Sequence, residues 1–219
     1  MGIIEKLKKG VKSVGSMVGS AVKSVVNAVT DFAGSLADKI ISITDSGVSN
    51  PEETDRRMVS GCHDAIEEVL GASPFEQFAS LGWEDRQTAV VNITSQVAEV
   101  MGVDIGSIDI EERNDAAYGS YYYASNRISF NEQYLYEEPM TELEAKEVID
   151  TIVHEVRHAY QHKAACRPSK YERDKLTAQI WRLNFKHFVS PWQNMELYFK
   201  QPVEQDARWM AVSVMNTFE

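Results

Sequence analysis

The sequence predicts an α+β domain: a small sheet between two helical halves, preceded by a separate N-terminal amphipathic helix. Three observations carry this. Apolar residues recur at helical spacing over 55–71 and 84–101. The pattern then turns to alternation at Ile108 and Ile110 and to an aromatic, β-prone run from Tyr118 to Tyr123. Helical spacing returns after Pro139 and holds nearly to Glu219. The 219 residues suit one medium domain with an appendage and can bury a sizeable core. Two cysteines, Cys62 and Cys166, exclude a disulfide scaffold and leave either one bridge or two thiols.

The appendage is residues 1–44. Eleven apolar positions from Ile4 to Ile40 advance in ten steps over 36 residues, the repeat of an amphipathic helix. Lys6, Lys9, Ser13 and Ser16 fall mostly on the other face. Gly10, Gly15, Gly19 and Gly34 each weaken such a helix by about 1 kcal/mol, so it needs a partner surface to form fully. The longest charge-free run lies between Lys12 and Lys23, about half the ~20 residues of a bilayer span. Lys23 interrupts the run and no clean cleavage site follows, which makes a poor signal peptide. Three readings stay open: a helix packed on its own domain or a second copy, a membrane-surface helix, or a docking or delivery segment. Cytoplasmic residence and non-classical delivery are both compatible with this. Turn formers from Asp45 to Pro51 mark a linker, taken as 45–55, before a domain over 56–219.

Charge divides the same way. Residues 1–44 carry six Lys against three acids, whereas the other 175 residues carry 16 basic and 30 acidic side chains. An acidic body of net −14 repels phosphate backbones, so nucleic acid is not an expected partner.

Within the body, Met58, Cys62, Ile66 and Leu70 share one helix face, with Gly71 as the stop. Val90, Ile93, Val97 and Val100 share the next, with Gly102 as the stop. Strands at Ile108–Ile110, Tyr118–Tyr123 and Arg127–Phe130 are expected to pair antiparallel, with Ser125-Asn126 as a turn. Thr141-Glu142-Leu143-Glu144 is a capping box that opens a long helix. Pro168 ends it near Cys166. A further helix is expected over 170–187, a loop over 188–201, and a last helix from Pro202, a good first-turn residue.

The long helix contains His154-Glu155-Val156-Arg157-His158. Residues four apart share a helix face, so the two imidazoles can hold one Zn²⁺ while Glu155 flanks it as a general base. With five His and 21 Glu in the chain, this motif arises by chance about once in a hundred such sequences. A catalytic zinc needs a third protein ligand. His162 continues the same face, and a straight helix spreads the three His over about 12 Å, too far for one ion. His162 is therefore expected to be solvated or supporting. His63 and His187 lack a supporting local pattern. Glu204, in the first turn of the last helix, can project across, and Ala207 and Ala211 on its face allow close helix packing. Arg157 and Asp206 leave the metal face and are expected to pair across the two helices.

His154-Glu155-x-x-His158 followed by Glu204 resembles the zincin metallopeptidases of gluzincin-like type, whose third ligand is a Glu on a later helix. Glu204-x-x-Ala207-x-x-Met210-Ala211 resembles the ligand helix of small ImmA-type peptidases, and Gly119 to Asn131 resembles their strand pair before the active-site helix. His154 to Gln161, with Pro202-x-Glu204-x-Asp206-Ala207, is similar to zincin-like proteins of bacterial and mobile-element origin. The resemblance covers about 115–217. The 46 residues from His158 to Glu204 exceed the ImmA-type spacing, which implies an inserted helix. The resemblance implies a minimal zincin-like domain with a small mixed sheet, Zn²⁺ as cofactor, and a peptide substrate extended along an edge strand, expected at Arg127–Asn131. Glu155 would shuttle the proton. Tyr198, just before the Glu204 helix, is the candidate oxyanion donor, with His187 as alternative. Two imidazoles and a carboxylate suit zinc best among divalent metals. The alternatives are a non-catalytic binding or docking module on the same scaffold, or a delivered effector whose N-terminal helix engages a membrane or partner.

Overall fold

A computed structural model describes residues 53–136 and 138–219. The helix expected over 1–44 and most of the linker expected over 45–55 lie outside the described residues. The described chain is a mixed α+β fold built around one long central helix.

Helix α1 (Glu53–Leu70) starts inside the expected linker. Glu53 and Asp55 favour a helix N-terminus electrostatically, and Asp55 is buried by partners described below. Helix α2 (Pro74–Ser80) was not anticipated; seven residues are too few for a periodic signal, although Pro74 occupies its first turn. Helix α3 (Trp83–Val100) follows as expected. Gly71 and Gly102 adopt φ of 79° and 67° just after α1 and α3, as expected of stops.

Strands β1 (Ser107–Glu111), β2 (Gly119–Tyr122) and β3 (Arg127–Asn131) form one sheet in the order β1-β3-β2. The β2–β3 hairpin is antiparallel, Tyr121 opposite Ile128. β1 joins parallel, Ile108 beside Ile128, so the sheet is mixed, as the resemblance implies, and not antiparallel throughout as the strand patterns alone suggest. A second correction follows. Arg127–Asn131, expected at the edge, is the middle strand. Its residues 128–131 are all buried, and a buried strand cannot leave a row of backbone groups unpaired. The part-exposed, tyrosine-bearing β2 takes the edge instead.

Helix α4 (Glu142–Cys166) opens with the expected capping box: Thr141 Oγ1 accepts from the Glu144 N–H at 3.2 Å, and Glu144 accepts from the Thr141 N–H at 2.7 Å. α4 touches α2, α3 and β2. It also packs against α5 (Lys175–Lys186) and α7 (Pro202–Met215). Ile149, Ile152, Val153 and Val156 are fully buried, each contributing roughly 1.5–3 kcal/mol over exposure. α5 starts later than residue 170 because Asp174 caps it, accepting from the Thr177 N–H at 2.8 Å. The stretch expected as loop contains α6 (Met195–Lys200), capped by Asn194, which accepts from the Leu197 N–H at 3.0 Å. α7 gives way to a 3₁₀ turn at Asn216–Phe218 rather than running on. Cys62 is buried and Cys166 exposed, both free thiols.

Gly119 sets how closely β2 approaches α4. A Cβ there would stand 2.9 Å from Thr151 Cγ2 and 3.1 Å from Phe130 Cδ1. Gly119→Ala should therefore lower unfolding free energy by about 1–3 kcal/mol in a urea titration. A change below about 0.5 kcal/mol would contradict this packing.

Candidate metal centre

His154 and His158 lie one turn apart on α4, their Nε2 atoms 3.0 Å from each other. The first turn of α7 brings in Glu204. Its Oε2 is 3.5 Å from His154 Nε2 and its Oε1 is 3.4 Å from His158 Nε2. All three ligand atoms fall within 4.8 Å of one another. Four ligands held tetrahedrally at about 2.0–2.1 Å stand about 3.3 Å apart, so the observed spacings fit one zinc-sized cation. Glu204 is 1% exposed and its Oε2 has no hydrogen-bond partner. Arg208 Nη1 stands 3.9 Å from that oxygen, and the carboxylate with its two converging imidazole nitrogens is a donor set that could hold a cation.

The electrostatics agree. Burial alone would lower the pKa of His158; the charge and hydrogen bonding of Glu204, aided by Glu155, outweigh it and raise the pKa to about 9. Burial would raise that of Glu204, but His158 and His154 hold it far below the usual carboxylate range.

A polar network behind these three side chains fixes their positions. His158 Nδ1 stands 2.8 Å from Gln161 Oε1. An Nδ1–H donated there leaves the Nε2 lone pair for a metal. The Gln161 amide donates to the Val203 carbonyl at 2.8 Å and to Asp206 at 2.6 Å, which ties α4 to the first turn of α7. Arg157, fully buried, donates to both oxygens of Asp206 at 2.8 and 3.0 Å. This is the pairing anticipated across the two helices. It extends further than expected. Arg157 also donates to Asp55 at 2.7 Å, and Arg173 binds both Asp55 oxygens at 2.9 and 2.5 Å. The Tyr160 ring lies 4.6 Å from the Arg157 guanidinium and 5.3 Å from that of Arg173. On the other side, Asn184 Oδ1 accepts from the Val203 N–H at 3.1 Å, and its amide donates to Gln201 at 2.9 Å. These two side chains seat the start of α7 on α5.

Glu155 is buried and stands outside the ligand triad. It accepts the outward N–H of Tyr121 on the β2 edge at 2.7 Å. Burial of Tyr198, on α6, followed by the charge of Glu204, a hydrogen bond to it and the charge of Glu155, raises its pKa strongly. His162 stays out of the triad, as expected. It packs against Tyr123 and Phe185, with its Nδ1 3.5 Å from the Tyr121 hydroxyl. His63 bonds Thr217 at 2.8 Å and stacks on Phe218, and His187 closes α5. Neither joins the triad. Sequence reasoning missed Gln161, Asp55, Arg173 and the Tyr121 N–H. Gln161 sits three residues after His158, a spacing that points to it; Asp55 has no local signal. No described protein family, curated protein or solved structure matches this chain.

Two outcomes follow from this geometry. Asp206→Ala strips the bidentate partner from a buried guanidinium and should cost about 3 kcal/mol in denaturant unfolding; a loss under about 1 kcal/mol would show the network to be slack. A zinc ion bound at this triad would have to displace the proton that His158 holds. Its pKa lies above the ordinary histidine value, so zinc affinity should climb about tenfold per pH unit and level off near pH 9. Competition against a chelator of known affinity measures this, and a flat profile from pH 6.5 to 8.5 would contradict it.

Proposed function

We propose that this chain is a zinc-dependent metallopeptidase of the zincin type, hydrolysing a peptide bond in a protein or peptide, with zinc held by His154, His158 and Glu204. The observation that carries this reading is Glu155: a buried carboxylate, not itself a ligand, aimed by a backbone N–H beside three converging donors. A purely structural metal site has no use for such a base. The long helix bearing both imidazoles, the small mixed sheet against it and the later helix bearing Glu204 are the parts that a minimal zincin domain requires.

Zinc, when bound, supplies Lewis acidity, polarising the scissile carbonyl and easing deprotonation of a water. The chain's own residues do the rest. Glu155 takes a proton from the attacking water as its oxygen bonds to the carbonyl carbon, and passes that proton to the departing amine nitrogen as the C–N bond breaks. Tyr198, whose raised pKa keeps its O–H protonated, donates to the carbonyl oxygen as charge develops there. The substrate lies extended along the β2 edge, Gly119–Tyr122, the strand that borders Glu155.

The test is Glu155→Gln in the zinc-loaded chain, assayed on a proteome-derived peptide pool. Cleavage should fall by about 10²–10⁴-fold with zinc content unchanged. A variant as active as the wild type would remove Glu155 from the mechanism.

A further inference from the structure

The charge of the body is not spread evenly. Residues 163–186 contain seven Lys and Arg against Glu172 and Asp174 only, inside a body whose net charge is −14. Three of these cations, Lys163, Arg167 and Lys170, line one cavity of about 330 Å³ at the C-terminal end of α4, with His162 and Tyr171 as aromatic walls. Among the described residues none of the three has a carboxylate partner, whereas Arg57, Arg113, Arg127 and Arg157 elsewhere all do. One carboxylate, Asp104, also lines the cavity. The negative end of α4 accounts for Lys163, in its last turn. It does not account for Lys170, which lies beyond the helix with its ammonium 5.3 Å from the Tyr171 ring.

The cavity begins one turn of α4 beyond the candidate metal centre. His162, on its wall, is one turn past His158 on α4, a rise of about 6 Å, and Cys166, also lining it, is a further turn on. The edge strand leads the same way: the Tyr121 N–H is on Glu155, and the Tyr121 hydroxyl and the Tyr123 ring reach His162. An extended peptide advances about 3.3 Å per residue. A chain lying across the metal and along β2 therefore reaches the cavity two to four residues from the scissile bond. At the small end of the roughly 300–1,000 Å³ range for ligand pockets, it suits one or two side chains.

We infer that this cavity is a subsite for acidic residues of the substrate, so that the protein selects peptides carrying Asp or Glu two to four positions from the bond it cuts. The inference rests on the peptidase reading above. An acidic peptide is favoured over nucleic acid because the body outside this segment is strongly negative and would repel a long polyanion.

The test uses the full-length zinc-loaded chain and the double variant Arg167→Glu/Lys170→Glu, both positions being exposed. In the peptide pool, cut sites should be enriched in Asp and Glu at the stated distance, and the enrichment should vanish in the variant. Cut sites without it, or with enrichment that survives charge reversal, overturn the subsite while leaving the peptidase reading intact. A binding arm stands apart from cleavage. Labelled hexaglutamate should bind the Glu155→Gln chain at low salt at least tenfold more tightly than hexaglutamine, and lose that margin when the charge reversal is added. If the pool is not cut at all, the peptidase reading fails and the hexaglutamate arm alone decides the cavity. A six-nucleotide single strand binding more tightly than hexaglutamate overturns the assignment. Thermal unfolding confirms that the variant is folded; if it is not, Lys170→Glu alone takes its place.

Discussion

The guanidinium of Arg157 is the interaction on which the rest of this structure depends. It is fully buried, and a buried charge without partners costs several kcal/mol. Two carboxylates from different parts of the chain meet it: Asp206 from α7 and Asp55 from the first turn of α1. Because Arg157 lies between the two histidines on α4, satisfying it fixes the position of α7 relative to the histidine-bearing helix. Asp206 then also receives the Gln161 amide, whose oxygen faces His158. One network therefore sets both the packing of three helices and the orientation of His158. Such a network is stable only if every member is satisfied, and here Arg173 and Tyr160 close it on the far side.

The candidate metal centre is built differently, with Glu204 facing the two imidazoles and Arg208. In the network each buried charge finds an opposite charge in the protein. In the His154–His158–Glu204 triad the protein leaves a carboxylate oxygen without a hydrogen bond and turns two ring nitrogens toward each other. The surrounding fold tolerates this arrangement because α4, α5 and α7 are pinned independently by Arg157, Gln161, Asn184 and Gln201. Rigid support around an unsatisfied donor set is the condition for a preorganised cation site. The β2 edge borders the triad, and its outward Tyr121 N–H holds Glu155 next to the three side chains.

What was legible in the sequence was mostly local. The capping box, the helix stops at Gly71 and Gly102, and the His154–His158 spacing each occupy a few consecutive residues, and each appears where expected. Glu204 was legible because Pro202 marks a helix start and the two-histidine motif creates a demand for a third ligand. The sheet order was not. Whether Arg127–Asn131 sits at the edge or in the middle depends on where β1 docks, and that is set by burial of Ile128 to Asn131 against residues distant in sequence. Helices α2 and α6 were too short to show a period. Asp55 lies 102 residues from Arg157, and only folding makes it part of the site.

His154, His158 and Glu204 are proposed to hold one metal ion. Metal content by mass spectrometry, on the purified full-length chain after zinc reconstitution and desalting, tests it most directly. One zinc per chain is expected, lost in both His154→Ala and Glu204→Ala while each variant stays folded. Zinc absent from the wild type, or retained in full by folded Glu204→Ala, would contradict it.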